Sequence, residues 1–220
     1  MIAGYCWPQS VLPGETVSLA VSGAGLSCDV EVVRIGSEEV TVDKWEDLPM
    51  VEQPTAADVS RSGCGWEETL NIAVHRSWNS GFYLVRMVGH DGTKAEAFFV
   101  VRALQPRQTL LVLATSTWAA YNDWGGPSYY TGGHYSSLQR PLPKGFLEKP
   151  DPHRYRVARI AELSEEERRD HFSHFSIWSS AAGFANWELL FVRWAERHGI
   201  QLDYATSLDL HNNPDLLNGY

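Results

Sequence analysis

The chain has 220 residues, 44% of them hydrophobic and 12% aromatic, which supplies one large core or two small ones and excludes a disordered or fibrous chain. Its 18 Lys and Arg stand against 27 Asp and Glu, a net charge of −9, so nucleic acid and anionic membrane surfaces are not expected partners. Cys6, Cys28 and Cys64 are odd in number and lack C-x-x-C spacing. No disulfide framework is therefore expected. With no apolar run long enough for a membrane span and no leader pattern at the start, the expected location is cytoplasmic.

From Val11 to Val101 the chain reads as short strands broken by turn residues. After Pro13-Gly14, the residues Val17, Leu19 and Val21 alternate with Thr16, Ser18 and Ala20, the period of a strand with one buried face. Cys28 to Ile35 and Val40 to Trp45 follow, then Leu70, Ile72 and Val74 alternating with Asn71 and Ala73. Phe82 to Val88 and Ala95 to Val101 flank His90-Asp91-Gly92-Thr93, where Asp-Gly is a hairpin signal because both residues tolerate positive φ. This spacing predicts an immunoglobulin-like antiparallel β-sandwich over 1–104.

The polar stretch Gln105-Pro106-Arg107-Gln108 marks the expected boundary, and 109–220 reads as the N-terminal part of a parallel α/β domain. Leu110 to Ala114 is a continuous aliphatic run, as in a strand covered on both faces. Ser116 to Ser180 has little periodicity and is too long for an ordinary connection, so it is functional or an insertion. Within it, Ser164 and Glu167 have capping-box spacing, predicting a helix over Glu165 to Phe172. Ala185 to His198 is the clearest helix: Phe184, Trp187, Phe191 and Trp194 recur at three and four residues as a core stripe, and Gly199 supplies the cap. Gln201 to Thr206 reads as the next strand. Two parallel strands and one helix cannot cover each other, so the α/β part is expected to be completed by a second polypeptide or a cleaved C-terminal part.

The densest chemical text is Thr115 to Tyr130, immediately beyond the first parallel strand, where open α/β sheets place ligands. Gly125 and Gly126 permit close backbone approach, while Tyr121, Tyr129, Tyr130 and Asn122 offer hydroxyls and an amide beside the indoles of Trp118 and Trp124. A rigid aromatic loop packed on the sandwich is the alternative reading. His134 follows Gly132-Gly133 within reach of that loop. His171 and His174 sit at i and i+3 beside a charged run that reads as surface, and His211 precedes a turn or helix start in which Pro214 suits a first helical position. Asp123, Asp203 and Asp209 are not spaced as a carboxylate pair. No cysteine lies beyond Cys64 and no G-x-S-x-G elbow occurs, so no thiol or serine nucleophile of familiar kind is available in the α/β portion.

The segment Ala114 to Tyr130 resembles the T-x-x-A-Y-N-x-W-G-G-x-S-x-Y signature of the N,N-dimethylformamidase large (beta) subunit-like family. The likeness extends to Gly4-Tyr5, Val11 to Val17, Val33 to Gly36, Ser80 to Arg86, the S-x-x-R-P stretch Ser137 to Pro141, and Trp187 to His211. It covers most of the chain, and its most specific parts are the Tyr121 motif and Asp203 to His211. The resemblance implies a glutamine-amidotransferase-like α/β fold whose nucleophile is replaced by a mononuclear ferric (Fe3+) site held by two tyrosines and a glutamate. Phenolate oxygens are hard anionic donors suited to such an ion. Tyr121 is the implied first ligand, and Tyr130 or a later residue such as Tyr155 the second. Asn122, next in the motif, is expected to contact substrate. The family carries its glutamate in a G-H-x-E-Y-W motif not present here, so the site is expected to be completed from outside this chain. The implied activity is hydrolysis of a small N-substituted amide; the other reading is a non-catalytic subunit or binding module whose aromatic loop docks a partner or carbohydrate.

Overall fold

The structure, a computed structural model, describes residues 2–25, 27–149, 164–166, 168–169 and 176–220. Strands β1 (Ile2–Trp7), β3 (Thr16–Gly23) and β6 (Leu70–Ala73) form an antiparallel sheet in the order β1-β3-β6. Strands β2 (Ser10–Val11), β4 (Ser27–Ile35), β5 (Glu39–Pro49), β7 (Gly81–Gly89) and β8 (Lys94–Val101) form a second sheet in the order β2-β8-β7-β4-β5. All its pairs are antiparallel except the short parallel β2–β8 contact. The Asp-Gly turn closes the β7–β8 hairpin as expected: Gly92 has φ +80, and the Asp91 carboxylate accepts the Thr93 N–H at 2.9 Å.

The two sheets are arranged in a sandwich-like way. Val17, Leu19, Val21 and Ile72 from the first meet Val30, Val32, Val85, Met87 and Phe99 from the second in one buried core. The intervening residues of the larger sheet are not solvated, as a single-faced strand would require. Val33, Ile35, Phe82, Leu84, Phe98 and Val100 form a second core with the rest of the chain. Both faces of this sheet's central strands are buried, which is why β7 and β8 are almost continuously apolar, whereas the edge strand β5 is largely exposed. Strand β1, absent from the expectation, precedes Val11, and β2 ends on it; β1 lacks period-two alternation because it is buried along most of its length.

Strands β9 (Thr109–Leu113) and β10 (Leu202–Thr206) pair in parallel, with Leu202 opposite Thr109. Strand β10 is buried throughout, whereas Thr109 to Val112 of β9 are half-buried, a departure from the expected double coverage. The reason is position: β10 lies against β7 and β8, and the Ser80 hydroxyl joins them by donating to Val101 O at 2.9 Å and accepting the Tyr204 N–H at 2.9 Å. Strand β9 lies on the outer side.

Four α-helices are found among the described residues: α1 (Val59–Ser62), α2 (Thr115–Tyr121), α3 (Glu188–Arg197) and α4 (Ser207–Asn212). Glu165, Glu166, Arg168 and Arg169 are helical at the expected capping-box site; the rest of that predicted helix lies outside the described residues. Pro214 opens a 3-10 turn to Gly219, and Gly199 ends α3 with φ +75.

Helix α3 departs from expectation in the face it buries. Trp187 is 60% exposed, Phe191 42% and Trp194 50%, while Val192 and Ala195 are buried. Of the aromatic stripe only Phe184, before the helix, is core. The space beneath the helix is already filled by the stacked pair Phe82 and Phe184, 3.8 Å between ring centroids, and by Trp118 edge-on to both. Small side chains alone fit there, and Glu196 fastens the helix to Arg34 of β4 at 2.7 Å.

Two predictions follow the packing. Gly183 has φ +95, and a Cβ there would strike the Phe146 backbone. Gly183→Ala should therefore lower the free energy of unfolding in urea by about 2–4 kcal/mol. On β8, burial and the nearby Glu148 push the Glu96 carboxyl up to about 7 from 4.5. The folded state thus binds the proton more tightly, so this group's contribution is fully favourable below the unfolded value and is lost as pH rises through about 7. Glu96→Gln should raise the thermal midpoint above neutrality, with the gain vanishing at acid pH.

Candidate functional site

Helix α2 begins where β9 ends. Its start is held by Glu188 of α3, which accepts the Ala114 N–H at 3.3 Å and the Trp118 indole N–H at 3.2 Å. Burial pushes that carboxyl up. The helix is seven residues long and ends at Tyr121; too short and too poor in strong helix formers to show in the sequence, it leaves Tyr121 half-buried at the edge of the second core.

The chain then turns on a buried polar frame. Asn122 is buried, its amide N–H donating to Pro141 O and its amide oxygen accepting the Trp124 N–H, both at 2.9 Å. Arg140, 2% exposed, donates to the carbonyls of Asn122 and Trp124 at 2.9 Å and to the Ser60 hydroxyl at 3.1 Å. Gly125 has φ +69, and a Cβ on Gly126 would lie 2.5 Å from Ser60 Oγ, so the close approach these glycines permit is to α1. Both polar ends of the Asn122 side chain are thus engaged with the loop's own backbone.

Beyond this frame Ser128 and Thr131 cap a 3-10 turn over Tyr129–Thr131. The turn carries Tyr130 back onto Tyr121, with ring centroids 4.3 Å apart and planes 20° from parallel. The neighbouring Tyr130 hydroxyl, followed by burial, favours the protonated form of Tyr121 and raises its phenol above the ordinary value. Trp178 packs against both rings, at 5.1 Å and 5.7 Å. Tyr130 is 60% exposed, so the pair has a packed back and an open front.

The other sequence candidates are dispersed. His134 and His211 are exposed, and Tyr155, His171 and His174 lie outside the described residues. Asp123 accepts the Ser176 hydroxyl at 2.8 Å. Asp203 is buried, accepting the Arg107 N–H at 2.7 Å, and Asp209 caps α4 with Thr206. Each serves a separate local structure. Among the described residues no group of three or more His, Cys, Asp or Glu is placed to hold a metal, and the three cysteines are free and buried. Sequence reasoning missed the roles of Arg140 and Glu188, although both lie in motif stretches; an arginine next to proline in a loop of small polar residues was the available signal. Replacing Arg140 by Met orphans two buried carbonyls, and a loss of about 2–4 kcal/mol in urea unfolding is expected.

No helix of the described residues is long and apolar enough to cross a membrane. No curated protein matches the chain. A solved structure, the superoxide reductase (neelaredoxin) from Ignicoccus hospitalis, is similar over 45% of this chain and 77% of its own, at 12% identity and a TM-score of 0.28. A likeness that weak carries no argument. A family model described as "N,N-dimethylformamidase beta subunit-like, C-terminal" matches residues 29–220. That span holds β4 to β10, Arg140 and the tyrosine pair, and on that match the chain belongs to the N,N-dimethylformamidase beta subunit-like family.

Proposed function

We propose that this chain is part of an iron-dependent amidohydrolase that acts on a small N-substituted amide, with Tyr121 and Tyr130 as phenolate ligands to a ferric ion. The observation that carries this reading is the approach of two tyrosines, nine positions apart in the sequence, whose rings stack with centroids 4.3 Å apart. Two hard oxygen donors side by side, with an open front, suit a hard trivalent cation. Membership of a beta-subunit-like family implies a partner subunit, and a carboxylate from outside the described residues supplies the remaining donor.

A bound ferric ion supplies a Lewis acid for the amide carbonyl and acidifies a water molecule. The chain's own residues do the rest. Tyr121 Oη and Tyr130 Oη must each give up a proton to become ligands, and the raised Tyr121 phenol makes that loss uphill without the cation. Iron uptake should therefore fall steeply as pH is lowered. Arg140 and Asn122 act from behind, fixing the turn that brings the rings together; in this reading Asn122 is a positioning residue rather than the substrate contact its place in the motif suggests.

The test is iron content together with the visible phenolate-to-iron charge-transfer band, read on the assembled protein. Tyr121→Phe and Tyr130→Phe should each abolish the band and the hydrolysis of small formamides. Full iron occupancy in Tyr121→Phe would remove the ligand assignment, and loss on Tyr155→Phe instead of Tyr130→Phe would move the second ligand. A non-catalytic binding module is the second reading, favoured by the exposure of Tyr129, Tyr130 and Tyr135 on one loop; glycan binding by iron-free protein, abolished by Tyr129→Ala, would support it.

A further inference from the structure

A cavity of about 250 Å³ lies between β1, β8 and the loop that follows the tyrosine motif. Strand β8 borders it with an open edge, because β2 pairs β8 only at Val100 and Val101. The apolar lining includes Ile2, Trp124, Leu142 and Leu147. Four charged residues complete it: Glu96 and Asp123, both half-buried, and Lys94 and Lys144, both exposed. Neither Tyr121, Tyr130 nor Trp178 is among its lining residues.

The charges around the cavity lack ion-pair partners, although Asp123 accepts the Ser176 hydroxyl at 2.8 Å. Among the described residues, none of the four forms a salt bridge. Arg86, opposite Glu96 in the β7–β8 register, is instead engaged by Glu148 and Glu39. Glu96 therefore carries a half-buried carboxyl that a backbone N–H of Glu148 touches but no cation pairs directly, an arrangement that costs free energy unless a cation answers it. The charges are also sorted by depth. Carboxylates stand on two facing structures, the β8 strand and the loop after α2, while the ammonium groups lie where solvent reaches them.

We propose that this cavity binds a small zwitterionic amino acid with an apolar side chain, its ammonium on Glu96 and Asp123 and its carboxylate toward Lys94 and Lys144. The volume holds roughly ten non-hydrogen atoms, at the small end of ligand sites. An amine alone leaves the lysines unanswered and a carboxylate alone leaves Glu96 unanswered. The apolar body lies on Leu142 and Trp124. Because Asp123 is two residues from Tyr121, the ligand would bear on the loop that carries the tyrosine pair without occupying it.

Isothermal titration calorimetry on metal-free protein tests this independently of the iron reading. The probes are glycine, L-valine, L-leucine, L-methionine, isoamylamine and isovalerate. L-Leucine or L-methionine should bind one to one, with glycine, isoamylamine and isovalerate each weaker by about tenfold or more, the loss of one contact set. Glu96→Gln should weaken leucine and isoamylamine and leave isovalerate unchanged; Lys144→Met, at an exposed position, should weaken leucine and isovalerate and leave the amine unchanged. Failure of every amino acid to saturate would overturn the proposal. So would isoamylamine binding as tightly as leucine, or leucine binding unaltered in both variants.

Discussion

Burial of the central strands of the five-stranded sheet, β4, β7 and β8, on both faces is the constraint on which the rest of the molecule depends. One face meets the three-stranded sheet across Val17, Leu19 and Ile72. The other is capped by aromatic rings from three separate segments, with Phe82 and Phe98 on the sheet, Trp118 on α2 and Phe184 before α3. Each such ring pair contributes about 0.5–1.5 kcal/mol beyond its buried area. More important for function, Trp118 cannot leave this cluster without opening it, so α2 is anchored, and with it the start of the tyrosine loop.

From that anchor the loop is built as a rigid back and an exposed front. The back is polar and buried: both Nη atoms of Arg140 and the Asn122 amide hold Ser60 and the loop carbonyls, and such a buried network specifies an arrangement of the loop. The front is aromatic and open, with Tyr130 laid on Tyr121 by a capped 3-10 turn. Precise placement with solvent access is what a ligand set requires. Placement alone would not need the second tyrosine exposed.

Local signals were legible where one residue type decides one geometry. Asp91-Gly92 named its hairpin and Gly199 ended its helix, while the aliphatic run near Leu110 and the strand before Ser207 were found as a parallel pair. The face of α3 was not legible, because its sequence carries two stripes at helical spacing, Trp187-Phe191-Trp194 and Glu188-Val192-Ala195. Hydrophobicity favours the first, yet the ring cluster leaves room only for the second, and that is a property of other segments. The single-faced reading of β3 was incomplete for the same reason, since Ala20 is buried beside Leu19 and Val21: alternation reports burial only when the opposite face is solvated. At the site, the motif named Tyr121 and Tyr130 by type, but their stacking depends on the turn at Ser128 to Thr131, and the inward use of the Asn122 amide depends on Pro141 O, nineteen residues later.

The account's central claim is that the two phenols form one metal-binding face. The most direct measurement is an anomalous difference map, collected at the iron edge from crystals of the protein assembled with its partner and ferric ion. The account predicts one strong peak bonded to both Tyr121 Oη and Tyr130 Oη. A peak touching neither hydroxyl, or a well-ordered tyrosine pair with no iron on it, would contradict it.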